Sequence, residues 1–339
     1  MSIVFCGDLA LPFGAEINYR VLCPLFRDKK AVVNLEGSIL PNLDESKRYK
    51  WNDKFSLYSC PKVLDIFRDL NICYASLCNN HILDYWYPIK NTIDLLEQNG
   101  VKTWGLNNHD ILSTKLNDKT LYIITFATFA NEHSLKLFNP DLVVKEIVRL
   151  KESEDCYVVV FPHWGVEKNI YPEPTDRHHA HRCIDAGADL IIGHHPHIIQ
   201  PIEIYRGKTI VYSVGNFILP QTSYSDKFLS FENHYIQHEL VVEWDGNRVT
   251  LHALYYDKEK NEIIVDNSFL VDELYQLFSE PMNDSTYRDL FLAHTTFVNK
   301  VFRTRLFDSY FGELMSFVSR KTFRYIRKGA MIMGLHRPY

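Results

Sequence analysis

The sequence predicts an α/β protein whose sheet is covered by helices on both faces and carries polar residues along one edge. Three observations lead there. Over the first two hundred residues, apolar runs of strand length alternate with stretches of helical periodicity. Those runs end on Asp8, Glu36, Asn80 and His163, and the last ends on Gly193-His194-His195-Pro196-His197; these residue types bind metals or move protons. Beyond Gln200, strand-like runs are joined by Arg206-Gly207-Lys208 and Asp245-Gly246-Asn247, so this part of the sheet is antiparallel or mixed.

Each element has a local reason. Residues 3–6 are an apolar run opening into Gly7-Asp8, and 31–35 repeat the pattern into Glu36-Gly37. Residues 61–70 read as a helix, with Pro61 in the first turn and Val63, Leu64, Phe67 and Leu70 at helical spacing. Strand 72–77 leads into Cys78-Asn79-Asn80-His81, and a helix over 87–99 stops at Gly100. Strand 121–126, helix 141–152 and strand 157–161 follow, the last ending at Pro162-His163-Trp164-Gly165. Asp176 caps a helix to Ala186, Gly187 stops it, and a short strand from Leu190 delivers the histidine run. Hairpin strands are expected at 202–205, 209–213, 236–244 and 248–256, with a helical, aromatic pattern from about Ser268.

At 339 residues and 46% hydrophobic, the chain can bury a large core. A net charge of −5 gives no general pull toward nucleic acid. The opening residues lack a basic segment, and their apolar run breaks at Gly7-Asp8, so no signal peptide is predicted. No stretch reaches the roughly 18 apolar residues of a spanning helix. Seven scattered cysteines without a CxxC pair suit buried free thiols, and the expected location is the cytoplasm.

In an open α/β sheet the carboxyl ends of the strands lie along one edge. Two carboxylates, one amide oxygen and three or more imidazoles could meet there, a donor set for one or two divalent metals such as manganese, iron or zinc. The absence of a cysteine among these donors argues against a closed structural zinc site. Several residues keep a plainer alternative. Asp8 could cap a loop, Asn79 and Asn80 could be turn residues, and Gly215-Asn216 could be a structural turn. His194 reads as a neighbour of the ligands rather than one of them. His178, His179 and His181 on their helix read as surface or packing residues, and Asp185 and Asp189 as capping or pairing residues.

Taken in order, Gly7-Asp8, Asn34-Leu35-Glu36, Asn79-Asn80-His81 with Asp84, and His163-Trp164-Gly165 with Glu167 form one series. It continues through 185–189, His195-Pro196-His197 and 212–217. The series resembles the CapA family of poly-γ-glutamate capsule biosynthesis proteins, itself similar to a branch of the calcineurin-like metallophosphoesterases. The resemblance implies mixed β-sheets flanked by helices. It implies Asp8, Glu36, Asn80, His163, His195 and His197 as metal ligands, with Glu36 bridging two metals. It implies His81 as a proton donor oriented by Asp84, and Asn216 and Glu167 as substrate contacts. The chemistry implied is hydrolysis of a phosphoester, ester or amide by a metal-bound hydroxide in capsule or surface-polymer production. The substrate the resemblance implies is a polymer or a small phosphorylated or amide compound.

The chain also departs from the family pattern. Ala10 stands where phosphoesterases carry the histidine of Asp-x-His, Trp86 where a glycine is usual, and Lys168 where a tyrosine is frequent. A second reading from a different class is therefore a non-catalytic, metal-binding subunit of a capsule polymer synthase. Residues 1–265 are expected to form the metallophosphatase-like domain and 266–339 a helical, basic extension. Residues 300–339 carry nine lysines and arginines against two acids, a net +7 that leaves −12 on the remainder. With interleaved aromatics at helical spacing, that tail suits an anionic membrane surface or capsule-synthesis proteins, and with them a peripheral membrane location; its alternative is a helix packed on the core.

Overall fold

Every residue of β1 (Ile3–Leu9) is buried, as a strand at the centre of a sheet covered on both sides must be. Its side chains alternate between two cores: Ile3 and Phe5 face one, Val4 and Cys6 the other. The structure, a computed structural model, describes residues 2–48, 55–85, 87–106, 110–128, 140–224, 227–230, 234–280 and 282–294.

Two sheets carry the fold. The first contains β1, β2 (Lys30–Leu35), β3 (Ile72–Ser76) and β4 (Lys102–Trp104), all parallel. The second contains β5 (Leu112–Leu116), β6 (Lys119–Ile124), β7 (Cys156–Val160), β8 (Leu190–Ile192), β9 (Ile202–Tyr205) and β10 (Lys208–Val211) in the order β9-β10-β8-β7-β6-β5. There β6, β7, β8 and β10 are parallel and the two edge strands antiparallel. The chain then returns to the first sheet. β11 (Asn216–Ile218) pairs parallel with β1, and β12 (His238–Trp244), β13 (Val249–Asp257) and β14 (Glu262–Val265) extend it as an antiparallel meander.

Four helices cover the outer faces. Val63, Ile66 and Phe67 of α1 (Val63–Asp69) and Leu96 of α2 (Ile89–Gln98) join Val4, Cys6 and Val33 in one outer core. Val143, Ile147 and Leu150 of α3 (Pro140–Ser153) and Ala180, Cys183 and Ile184 of α4 (Pro174–Asp185) join Val158, Val160 and Ile191 in the other. The inner core fills the space between the sheets, where Phe5, Val32 and Tyr74 meet Ile123, Val159 and Ile192. The mixed sheets flanked by helices agree with the expected fold. The expectation of one central sheet does not hold. Alternating apolar runs specify that each strand is covered, but not which strand it pairs with. The split falls between β4, which ends the first sheet beside β3, and β5, a half-exposed run with no strand reading in the sequence that pairs with β6 at an edge of the second.

Residues Met1–Asn52 and Ser56–Pro281 form one compact unit, so the 3-10 helix Val271–Phe278 belongs with the sheets. The second unit, Asp53–Phe55 with Met282–Tyr339, contains α5 (Asp284–His294). The basic tail 300–339 and Trp86 lie outside the described residues. No helix among the described residues is long and apolar enough to cross a membrane. The seven cysteines are free thiols, and burial pushes Cys78 and Cys183 up to about 12, which leaves them inert.

One buried ionic cluster locks α4 onto the second sheet. Arg177 Nη2 and Nε donate to Glu203 Oε1 and Oε2 at 2.9 and 3.2 Å, and the Tyr212 hydroxyl donates to Oε2 at 2.6 Å. His181 Nε2 lies 3.0 Å from the same carboxylate and its ring stacks on Tyr205, a packing role rather than a ligand role. Burial pushes the Glu203 carboxyl up, but His181, Arg177 and Tyr212 outweigh it and hold it at about 2. A depressed carboxyl stabilises the fold above its unfolded pKa, and that stability is lost as pH falls through the folded value. Glu203 is therefore expected to contribute about 3 kcal/mol at neutral pH, lost between about pH 4.5 and 2. Glu203→Ala strands Arg177 without its buried partner and should destabilise by about 3–5 kcal/mol in urea titrations at pH 7. A loss below about 1 kcal/mol would contradict this account of the cluster.

Candidate metal centre

The parallel strands bring their carboxyl ends to one place. Asp8 lies within β1 rather than after it, with Asn34 of β2 beside it in the parallel register. Glu36 follows β2, Asn79-Asn80-His81 follow β3, His163 follows β7 and the histidine run follows β8. His163 forms single parallel bridges with Ala127 and His194, which extend the second sheet up to the site. Two glycines permit the close approach: a Cβ on Gly7 would overlap the Gly215 carbonyl oxygen, and one on Gly193 the Tyr212 carbonyl oxygen.

The two carboxylates and three imidazoles form two groups that share Glu36. Donor atoms of Glu36, His163 and His195 all lie within 4.8 Å of one another, as do those of Asp8, Glu36 and His197. Glu36 belongs to both groups. Its Oε1 stands 3.6 Å from His163 Nε2 and 4.0 Å from His197 Nε2. Asp8 Oδ2 stands 3.6 Å from His197 Nδ1 and accepts from the His195 backbone N–H at 3.2 Å. Asn80 Oδ1 stands 2.8 Å from His163 Nε2. Thus all six residues expected as ligands converge.

The electrostatics are those of a site built for positive charge. Glu36 is fully buried, and neither of its oxygens has a hydrogen-bond partner among the described residues. Burial, then the negative charges of Asp8, Glu167 and Asp84, push its carboxyl well above the usual range. Burial, then His195, His194, His197 and His81, push His163 well below its ordinary value, so its imidazole is neutral and able to donate a lone pair. A divalent cation of intermediate hardness fits this set: it would satisfy the two orphaned oxygens and offset the crowded carboxylates.

The backbone is strained where the donors concentrate. His195 has φ +97° and His197 φ +58°, left-handed conformations that cost a non-glycine residue on the order of 1–3 kcal/mol. Nothing in the sequence announces this. His197 Nδ1 donates to Asn216 Oδ1 at 2.8 Å, which leaves Nε2 facing Glu36. Asn216, expected to touch substrate, is buried and its oxygen is engaged by that imidazole. His194 sits deeper, its Nε2 3.1 Å from the Cys6 carbonyl oxygen and its ring against Phe161.

His81 stands at the rim, its Nδ1 2.5 Å from Asp84 Oδ2, which also accepts from the Leu57 N–H at 2.9 Å. Burial pushes the ring down, but Asp84, then Glu167 and Asp8, outweigh it and raise its pKa. Glu167 is half-buried and close enough to act on both His81 and Glu36. Sequence reading missed Asn34 as an individual participant. Its side chain is buried between Asp8 and His163, and a buried amide inside an otherwise apolar strand was the available signal.

The chain is 30% identical over 246 residues to the PGA biosynthesis protein CapA of Bacillus subtilis, covering 65% of this chain and 64% of that protein. It is 29% identical over 229 residues to the capsule biosynthesis protein CapA of Bacillus anthracis, covering 62% and 55%. The matched part thus spans less than two thirds of either relative's length. Among solved structures it is similar to a novel phosphatase from Mycoplasma pneumoniae at 13% identity and a TM-score of 0.46, covering 78% of this chain and 93% of that one. Residues 16–221, more than half of the sequence, match the family model described as bacterial capsule synthesis protein PGA_cap, and the chain belongs to that family.

Proposed function

We propose that the chain is a divalent-metal-dependent hydrolase of a phosphoester, ester or amide bond, serving surface-polymer production. Asp8, Glu36, Asn80, His163, His195 and His197 hold one or two ions of manganese, iron or zinc. The observation that carries this reading is the buried Glu36 carboxylate, both oxygens without a hydrogen-bond partner among the described residues, shared by two groups of convergent donors. When bound, such ions supply Lewis-acid polarisation and a strong nucleophile at neutral pH. The chain's own residues do the rest. Glu36, common to both groups of donors, would supply negative charge to each. Asn216 orients His197, and burial keeps His163 neutral. His81, held by Asp84, whose charge favours the protonated ring, gives its proton to the leaving group. Glu167 faces the substrate at the rim.

The similarity to a PGA biosynthesis protein and a capsule biosynthesis protein supports a polymer substrate or a synthesis-complex setting. In this reading the chain works in the cytoplasm, and the basic segment 300–339 docks it on an anionic membrane surface or on capsule-synthesis proteins.

The test is a hydrolysis panel with metal-loaded protein: p-nitrophenyl phosphate, bis-p-nitrophenyl phosphate, p-nitrophenyl acetate and γ-glutamyl-p-nitroanilide. At least one class should turn over, stop on chelation and recover on adding manganese, iron or zinc. Metal-loaded protein that turns over none of them would favour the non-catalytic synthase subunit.

A further inference from the structure

Asp8 is held by an amide on the neighbouring strand. Asn34 Nδ2 donates to Asp8 Oδ1 at 2.7 Å and lies 3.3 Å from His163 Nδ1. An amide can turn over and exchange its oxygen for its nitrogen, so something must fix which end faces Asp8. Asn79 does so: its Nδ2 donates to Asn34 Oδ1 at 3.1 Å and to the Leu35 carbonyl oxygen at 2.8 Å. Asn79 Oδ1 in turn accepts from the His81 backbone N–H at 3.1 Å. Both side chains are 1% exposed, so the bonds from Asn34 to Asp8 and from Asn79 to Asn34 and Leu35 form out of water.

We propose that Asn34 and Asn79 form an amide relay that positions the metal centre, one hydrogen-bonded unit running from the loop of Asn80 and His81 to Asp8, with Asn34 lying against His163. The relay joins residues of β1, β2, the loop after β3 and the loop after β7. It therefore sets the distance between ligands contributed by both sheets. Asn79 is thus a positioning residue rather than a turn residue. The inference rests on the metal-ligand reading above, and hydrogen-bonded supports of this kind typically change metal affinity by roughly 10–100-fold when removed.

The test is chelator competition with Mn²⁺ and Zn²⁺ on the full chain, its Asn34→Leu and Asn79→Asp variants and the double variant, beside the visible spectrum of Co²⁺-loaded protein. Asn79→Asp is nearly isosteric and keeps the acceptor for the His81 N–H while losing both donations. Each single variant should bind roughly 10–100-fold more weakly with a changed Co²⁺ spectrum. The double variant should be no weaker than the weaker single, because both break one relay. If Asn34→Leu does not fold, Asn79→Asp alone decides. Single-variant affinities within about twofold of the parent, or losses that simply add in the double variant, overturn the relay and leave the metal site standing. A parent chain that takes up neither ion overturns the metal reading, and the relay with it.

Discussion

Glu36→Gln is expected to empty the metal centre without unfolding the protein. The substitution keeps the shape of the side chain but removes the charge that two groups of donors share. Turnover should fall at least about 10³-fold, equivalent to ~4 kcal/mol of lost transition-state stabilisation. In the metal-free state the same change removes a fully buried acid whose ionisation is opposed by burial and then by Asp8, Glu167 and Asp84. The metal-free variant should therefore melt at or above the metal-free parent, so that stability and function move in opposite directions. Differential scanning calorimetry beside elemental analysis reads both. A variant that keeps its metal, or that melts well below the metal-free parent, would contradict the account of Glu36.

His81→Ala should separate chemistry from metal binding. The ring touches Asp84 and the rim rather than the convergent donors. Its loss should leave metal content unchanged and cut turnover by about 10²–10⁴-fold, most for substrates with poor leaving groups. Asp84→Asn gives a second sign. Asp84 is the strongest of the influences that raise the His81 pKa. A proton donor with a raised pKa stays protonated to higher pH, so removing Asp84 should move the alkaline limb of the rate profile to lower pH. An unchanged limb, or metal lost from His81→Ala, would remove His81 from the role of proton donor.

Much of the site is legible in the sequence because parallel strands turn chain order into spatial order. Apolar runs ending in Asp8, Glu36, Asn80, His163 and His195 are enough to predict that their ends meet. The partition into two sheets is not legible. It depends on β5 pairing with β6, and on β11 to β14 returning to β1 across a long stretch of chain. The left-handed backbones of His195 and His197 are not legible, because histidine tolerates that region without requiring it. Asn79 reads as a turn residue by composition, and only the three-dimensional placement of Asn34 shows what its side chain holds. His181 and Glu203, separated in sequence by 22 positions, meet only because α4 packs beside β9.

Metal content of the protein, purified without chelator and measured by elemental mass spectrometry beside His163→Ala, His195→Ala double-variant protein, tests the central claim most directly. One to two equivalents of manganese, iron or zinc in the parent, lost from a variant with an unchanged circular dichroism spectrum, is the predicted result. A parent that holds no metal, even after reconstitution with all three, would contradict it.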